Sequence, residues 1–316
     1  MIGQEKDQSS IVDAFVNMSN YRNRTLDAVE NSIDWKPIRR KIERRYRKSG
    51  VGRPAFPVLV LFKALLIQQW NNLSDPGLEE TLLDRISFRR FCGLHLEDKV
   101  PDHSTIHKFR DRIAPIIDQL FDEINRQLDA KGLILRKGTL VDATLIQAAG
   151  RPASGEDDEP SDPDATWGGK ADKLTYGYKG HIGLDQESEL IRRVEMTPAN
   201  EHDSQQFEAM VSGDEEAAYA DKAYASQERS IWLQQHGIED GILFKAVRGR
   251  PLTPIQKQIN RELTAIRRSV EHVFGTWKRL YRWRRCRHFS LKRNRCSLFV
   301  LCISYNLKRA IKLQAA

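Results

Sequence analysis

The run at residues 138–148, GTLVDATLIQA, places an aspartate inside a stretch that otherwise reads as an apolar β-strand. A strand covered on both faces is almost wholly hydrophobic. A lone ionised carboxylate in such a strand is unfavourable unless it is paired or binds a metal. Asp142 therefore restricts the chain to folds that hold a charge in the sheet. A paired core aspartate or a sheet-edge position would satisfy that restriction, but a functional carboxylate satisfies it better.

The pattern around this strand sets the architecture. Residues 1–50 carry short helical patterns that end in the basic run RRKIERRYRKSG, and Gly50, Gly52 and Pro54 then break the chain. Residues 51–132 read as all-helical. Val60, Ala64 and Ile67 recur at helical spacing, a turn is expected at residues 74–77, and Pro101-Asp102-His103-Ser104 is a helix start. Ile106, Phe109, Ile113, Ile116, Leu120, Ile124 and Leu128 form one apolar stripe, with Pro115 splitting or kinking the helix. Exposed Arg89, Arg90, Lys108 and Arg110 would suit a helix-turn-helix-like DNA reader, and an ordinary helical bundle accounts for the pattern equally well.

From residue 133 to 316 the pattern changes. Strands are expected at 138–148, 175–184, 190–197, 216–221 and 241–247. Helices are expected from Asp203, from Ser226 to 235, over 254–282 and over 294–312, and residues 150–172 read as an acidic loop. Three strands, a helix, a strand, a helix, a strand and a helix make an α/β domain with a mixed sheet. That is the order of elements in the ribonuclease-H-like fold. The predicted organisation is thus a helical arm (1–50), a helical domain (51–132) and a ribonuclease-H-like domain (133–316) with basic C-terminal helices.

Two more acids stand out. Asp221 closes the strand-like run Ala217–Ala220, and strand carboxyl ends are where ligands collect in open α/β sheets; alone, it reads as a turn or cap residue. Glu271 lies on a helix whose stripe Ile259, Leu263, Ile266, Val270, Val273, Trp277 and Leu280 would pack on the sheet. At about 100° per residue, Arg267, Glu271 and Lys278 share one ridge beside that stripe. Alone, Arg267 and Glu271 read as a surface pair of small worth. Three converging carboxylates suit phosphodiester chemistry. Two Mg²⁺ ions about 3.5–4 Å apart activate a water or 3′-hydroxyl and stabilise the leaving oxygen, and Mg²⁺ prefers carboxylate oxygen. Asp142 would bridge the ions, with Asp221 and Glu271 holding one each.

Charge points to the partner. From Leu243 to Ala316 there are 19 Lys plus Arg against Glu262 and Glu271, although the whole chain carries only +8. The rest of the chain is therefore net acidic, and a polyanion such as nucleic acid suits the basic part. The segment YRWRRCRHF at 281–289 interleaves aromatics with Arg282, Arg284, Arg285 and Arg287, which suits phosphate pairing and stacking; Trp283 and Phe289 would enter the core. The longest apolar stretch, 56–67, is interrupted by Lys63 and too short to span a bilayer. MIGQEKDQSS lacks the apolar core of a signal peptide, so a cytoplasmic location without membrane contact is expected. Cys92, Cys286, Cys296 and Cys302 form no CxxC pair and read as free thiols; Cys92 with His95 is a weak zinc signal. His181 reads as a core histidine rather than a ligand.

Arg267-x3-Glu271-x6-Lys278, VDATLI, YADKAY and TPANEHD resemble the signatures of DDE transposases of bacterial insertion sequences, in particular the insertion-sequence-five family. RPAFPVLVLFKALLIQQWNNLSD and PDHSTIHKFRDRI resemble that family's helical domain. The resemblance implies a metal-dependent transposase and endonuclease: strand cleavage at element ends, then transfer of the 3′-hydroxyl into target DNA. It implies Mg²⁺, replaceable by Mn²⁺, held by Asp142, Asp221 and Glu271, and DNA contacts from Arg267 and Lys278. It further implies double-stranded DNA with terminal inverted repeats as partner, a homo-oligomer on DNA and a place at the bacterial nucleoid. Thr264 stands where that signature has Tyr. A catalytically silent DNA-binding derivative of a transposase, and a ribonuclease or repair nuclease on the same fold, are the other readings.

Overall fold

The computed structural model describes residues 20–46, 55–155, 158–170 and 172–315. The start of the expected N-terminal arm, the end of its basic run and the breakers up to Pro54 lie outside the described residues. The chain divides into two compact units, one running to Lys131 and joined by the segment from Phe299 on, the other spanning Gly132–Leu298.

The first unit is helical: α1 (Arg24–Ser32), α2 (Trp35–Glu43), α3 (Val58–Asn71), α4 (Asp75–Asp84), α5 (Ile86–Cys92), α6 (His103–Ile113) and α7 (Ile117–Asp129). Side-chain caps from Asn23, Asp34, Ser74 and Asp102 start α1, α2, α4 and α6, each satisfying an orphan N–H of the first turn. Pro115 sits in a 3-10 turn between α6 and α7, so the expected stripe continues across a break, and all seven of its apolar residues are buried. Helix α3 is buried from Val58 to Trp70. Its Lys63 donates to Glu30 Oε1 at 2.7 Å and lies over the Trp35 ring. The C-terminal part of the last helix, α11 (Leu291–Ala315), completes this unit: Ser304 accepts from Trp70 Nε1 at 2.9 Å, and Asn306 donates to Asn125.

Two arginines expected at the surface are buried. Arg89 donates to the carbonyls of His95, Leu96 and Asp98. Arg110 pairs with Asp75 at 2.6 Å and donates to Gln68 at 3.0 Å. Both guanidiniums are consumed in holding loops and helices together, so neither is a DNA reader. Arg90 pairs with Asp27, and Lys108 is exposed.

The second unit is built on a mixed sheet of β1 (Thr139–Gln147), β2 (Thr166–Lys170), β3 (Lys173–Asp185), β4 (Ile191–Pro198), β5 (Ala217–Ala220) and β6 (Glu239–Ile242). Strand β3 pairs antiparallel with β1, β2 and β4, while β5 runs parallel to β1 and β6 parallel to β5. This is the ribonuclease-H-like connectivity with an added hairpin, β2–β3. Between strands lie α8 (Phe207–Met210) and α9 (Gln227–Gln235), and α10 (Pro254–Arg279) follows β6.

Three local expectations change. Strand β2 and the residues before it were read as acidic loop, yet Asp162 is buried and its carboxylate accepts from Tyr178 Oη at 2.8 Å and the Ser290 N–H at 3.0 Å. Strand β6 begins earlier than 241 because parallel pairing with β5 sets its register, Ala217 opposite Glu239. Helix α10 stops at Arg279, and the turning segment after it bridges to β1: Gln147 N–H donates to Arg284 O at 3.1 Å and Cys286 N–H to Gln147 O at 2.7 Å. Tyr281, Trp283 and Cys286 therefore face inward, while Leu280 and Phe289 stay exposed.

Candidate metal and DNA site

Asp142 sits mid-strand on β1, opposite Ile182 of β3. Asp221 follows the last residue of β5 and caps the 3-10 turn Lys222–Tyr224, its Oδ1 accepting the Lys222 N–H at 2.7 Å. Because β1 and β5 are parallel neighbours and α10 packs on both, one side chain of α10 reaches both acids. Arg267 Nη2 donates to Asp142 Oδ2 at 3.1 Å, and Nη1 stands 3.9 Å from Asp221 Oδ1. The side chains of Asp142, Asp221 and Arg267 are 23%, 42% and 12% exposed.

Burial pushes the Asp142 carboxyl up to about 6, with Asp221 and Asp203 adding repulsion; Arg267 and the Ala143 N–H pull the other way. Asp203, which opens the turn Asp203–Gln206, pairs with Lys179 at 2.8 Å. Asp203 is a neighbour of the site, and in the sequence it stood out only as the start of a helix. The actual cap is His202, and the signal available for Asp203 was its place in TPANEHD.

Glu271 lies one turn beyond Arg267 on the exposed side of α10. The structure thus brings Asp142 and Asp221 together around a cation, and Arg267 turns to them rather than to Glu271. Among the described residues, no three His, Cys, Asp or Glu side chains stand close enough together to enclose an ion. Lys278 is half-buried, its amine held below the usual lysine range by burial and by Arg284 and Lys173. Arg282, Arg284 and Arg287 are exposed. Arg285 is exposed too, but donates to the carbonyls of Ala148 at 3.0 Å and Ala149 at 2.7 Å, tying down the end of β1. Thr264 donates to Asn260 O. The four cysteines are free and buried.

Residues 135–307 match the family model of the transposase DDE domain, which is more than half of the chain. The chain belongs to the DDE transposase family. Residues 13–112 match a second family model, a transposase domain. Among solved structures, the chain is similar to a piggyBac transposase in a synaptic complex with hairpin DNA, determined by cryo-EM. The match has 12% identity and a TM-score of 0.46, over 97% of this chain and 76% of that one. Among the described residues of this DDE transposase, no helix is long and apolar enough to cross a membrane.

DDE domains are metal-dependent. The donors here fit a hard divalent cation in chemistry, being carboxylate oxygens. The space between Asp142 and Asp221 already holds a positive group, the guanidinium of Arg267.

His181 faces Ala143 across β1–β3, is buried, and bonds Thr197 Oγ1 at 2.9 Å. Burial lowers its pKa from 6.5 to about 4. The unfolded histidine accepts a proton before the folded one does, so the resulting stability is full above the unfolded pKa and is lost as pH falls towards the folded one. Acidification from about pH 7 to about pH 4 is expected to remove roughly 3 kcal/mol through this group. Denaturant titrations at the two pH values check this, and His181→Gln should flatten the difference.

Proposed function

We propose that this transposase cleaves DNA strands at the ends of its element and transfers the 3′-hydroxyl into target DNA. The supporting observation is the meeting of Asp142, mid-strand on β1, with Asp221, at the carboxyl end of the parallel strand β5, about one cationic group. Asp142 and Asp221 would hold the metal, and Glu271, on the helix that delivers Arg267, would complete the set. Bound there, Mg²⁺ or Mn²⁺ makes the attacking water or 3′-hydroxyl more acidic and neutralises charge on the leaving oxygen. Arg267, when it leaves the two carboxylates, can pair with phosphate bidentately. Lys278 and the exposed Arg282, Arg284 and Arg287 extend a positive track for the DNA backbone. Arg285 contributes its charge while its guanidinium secures β1. The proposed partner is double-stranded DNA bearing terminal inverted repeats of insertion-sequence-five type, engaged by a homo-oligomer at the bacterial nucleoid.

Duplexes carrying the inverted repeats that flank the gene, incubated with the protein and Mg²⁺ or Mn²⁺, test this reading. Cleavage should require the metal and vanish in Asp142→Asn, Asp221→Asn and Glu271→Gln. Cleavage that persists in all three would reject the residue assignment. Binding without cleavage by the unaltered protein would instead support a silent DNA-binding derivative.

A further inference from the structure

Of the six tryptophans, Trp35, Trp70, Trp277 and Trp283 are buried and Trp232 is partly buried, but Trp167 is 53% exposed. It stands on β2, which pairs only with β3 among the described residues. The exposure does not come from a loose segment. Gly168 lies so close to Ala199 that a Cβ there would stand 2.0 Å from the Ala199 carbonyl oxygen. Thr166 Oγ1 donates to Asn200 Oδ1 at 3.1 Å and accepts the Asn200 N–H at 3.0 Å. Both contacts pin β2. Trp167 faces Tyr176 directly across the hairpin, their ring centroids 5.5 Å apart. Leu174, two residues from Tyr176 on the same face and also exposed, lengthens the apolar strip. A ring already held in place loses little freedom when it binds.

The surroundings select the partner. Tyr176 O accepts the Ala148 N–H at 2.9 Å, and Ala148 O accepts from Arg285 Nε at 3.0 Å. Gln147, beside Ala148, donates to Arg284 O. Only β3 therefore separates Trp167 from the end of β1 where the arginine-rich segment is tied. Lys170 and Lys173 are exposed and opposite one another at the hairpin's tip, with Asp172 in the turn. The charge of Lys173, like that of Arg284, lowers the Lys278 pKa. An aromatic face flanked by cations suits a nucleic-acid strand, whose bases stack while its phosphates pair. A duplex keeps its base faces inside its own stack, so such a ring takes a base only from an unpaired strand. We infer that Trp167 is a stacking platform for an unpaired base of bound DNA, with Lys170 and Lys173 on the neighbouring phosphates. This inference rests on DNA as the partner and is independent of the roles proposed for the three acids.

The full-length chain tests it at fixed salt with two probes: a duplex carrying the flanking inverted repeats, and the same duplex with a single-stranded thymidine overhang. Trp167→Ala and Trp167→Leu should weaken binding of the overhang probe by about 5- to 100-fold and leave the plain duplex unchanged. Trp167→Phe, which keeps an aromatic face, should retain most of the affinity. The overhang should quench the tryptophan fluorescence of the unaltered chain but not that of Trp167→Phe. Melting temperatures check that the hairpin holds, and Trp167→Phe keeps the ring pair with Tyr176 if the smaller side chains do not. Equal affinity of all variants for the overhang probe, or quenching that survives in Trp167→Phe, overturns the inference while DNA binding stands. If Trp167→Ala instead yields a smaller species by light scattering with DNA affinity unchanged, a second copy of the chain covers the ring and the inference is overturned. If the unaltered chain binds neither probe, DNA as the partner falls and takes the inference with it.

Discussion

Asp142→Asn is expected to lower strand cleavage by about 10³-fold or more, with DNA binding largely retained. Asparagine keeps the shape of the side chain but has one acceptor oxygen where Asp142 uses two, Oδ1 for the Ala143 N–H and Oδ2 for Arg267. It lacks the negative charge that a divalent ion needs. Metal-derived stabilisation of a phosphoryl transition state is worth several kcal/mol, and each 1.36 kcal/mol is about tenfold in rate. Single-turnover cleavage at saturating protein measures the loss, and a filter-binding titration at fixed salt measures the retained affinity. A variant that cleaved within about tenfold of the unaltered chain would remove Asp142 from the chemistry. Asp221→Asn should behave alike, since its carboxylate faces the same guanidinium.

The largest effect on stability is expected from Asp75→Ala in the helical unit. Arg110 is only 5% exposed, and Asp75 supplies two of its hydrogen bonds, from Nη1 at 3.1 Å and Nη2 at 2.6 Å. Gln68 accepts a third from the arginine and itself donates to Asp75. Alanine would remove the carboxylate that pairs with this buried guanidinium. Removing one partner of a buried pair typically costs about 3–5 kcal/mol. Hydrogen exchange should show the loss in α3, α4 and α6 while β1 and β3 keep their protection, because the second unit has its own core. Asp75→Asn, which retains an acceptor, should lose less. A loss below about 1 kcal/mol in Asp75→Ala would mean that the arginine finds water instead.

Much of this was readable from residue order. The 3.6-residue stripe of α6 and α7, the helix start at Asp102, and the strands around Asp142 and Asp221 are local signals, written in neighbouring residues. Reading failed where a residue's state depends on distant partners. Arg89 and Arg110 look like surface cations in a helical pattern, but neighbouring carbonyls and Asp75 bury them. The segment after α10 looks like a helix running on to residue 282, but it turns and bridges to β1 at Arg285 instead. The loop holding Asp162 looks solvated by composition, yet Tyr178 and the Ser290 N–H take its carboxylate inside.

The sequence alone determined that an acid lies within a strand, that a second closes another strand, and that a third rides a basic helix. Those facts follow from periodicity and side-chain chemistry, which are properties of the chain. Only the tertiary structure decided that Asp142 and Asp221 meet about Arg267 and that Asp203 joins their field. Parallel pairing of β1 with β5 and the packing of α10 across both create that meeting, and no local pattern encodes the distance between side chains 125 residues apart.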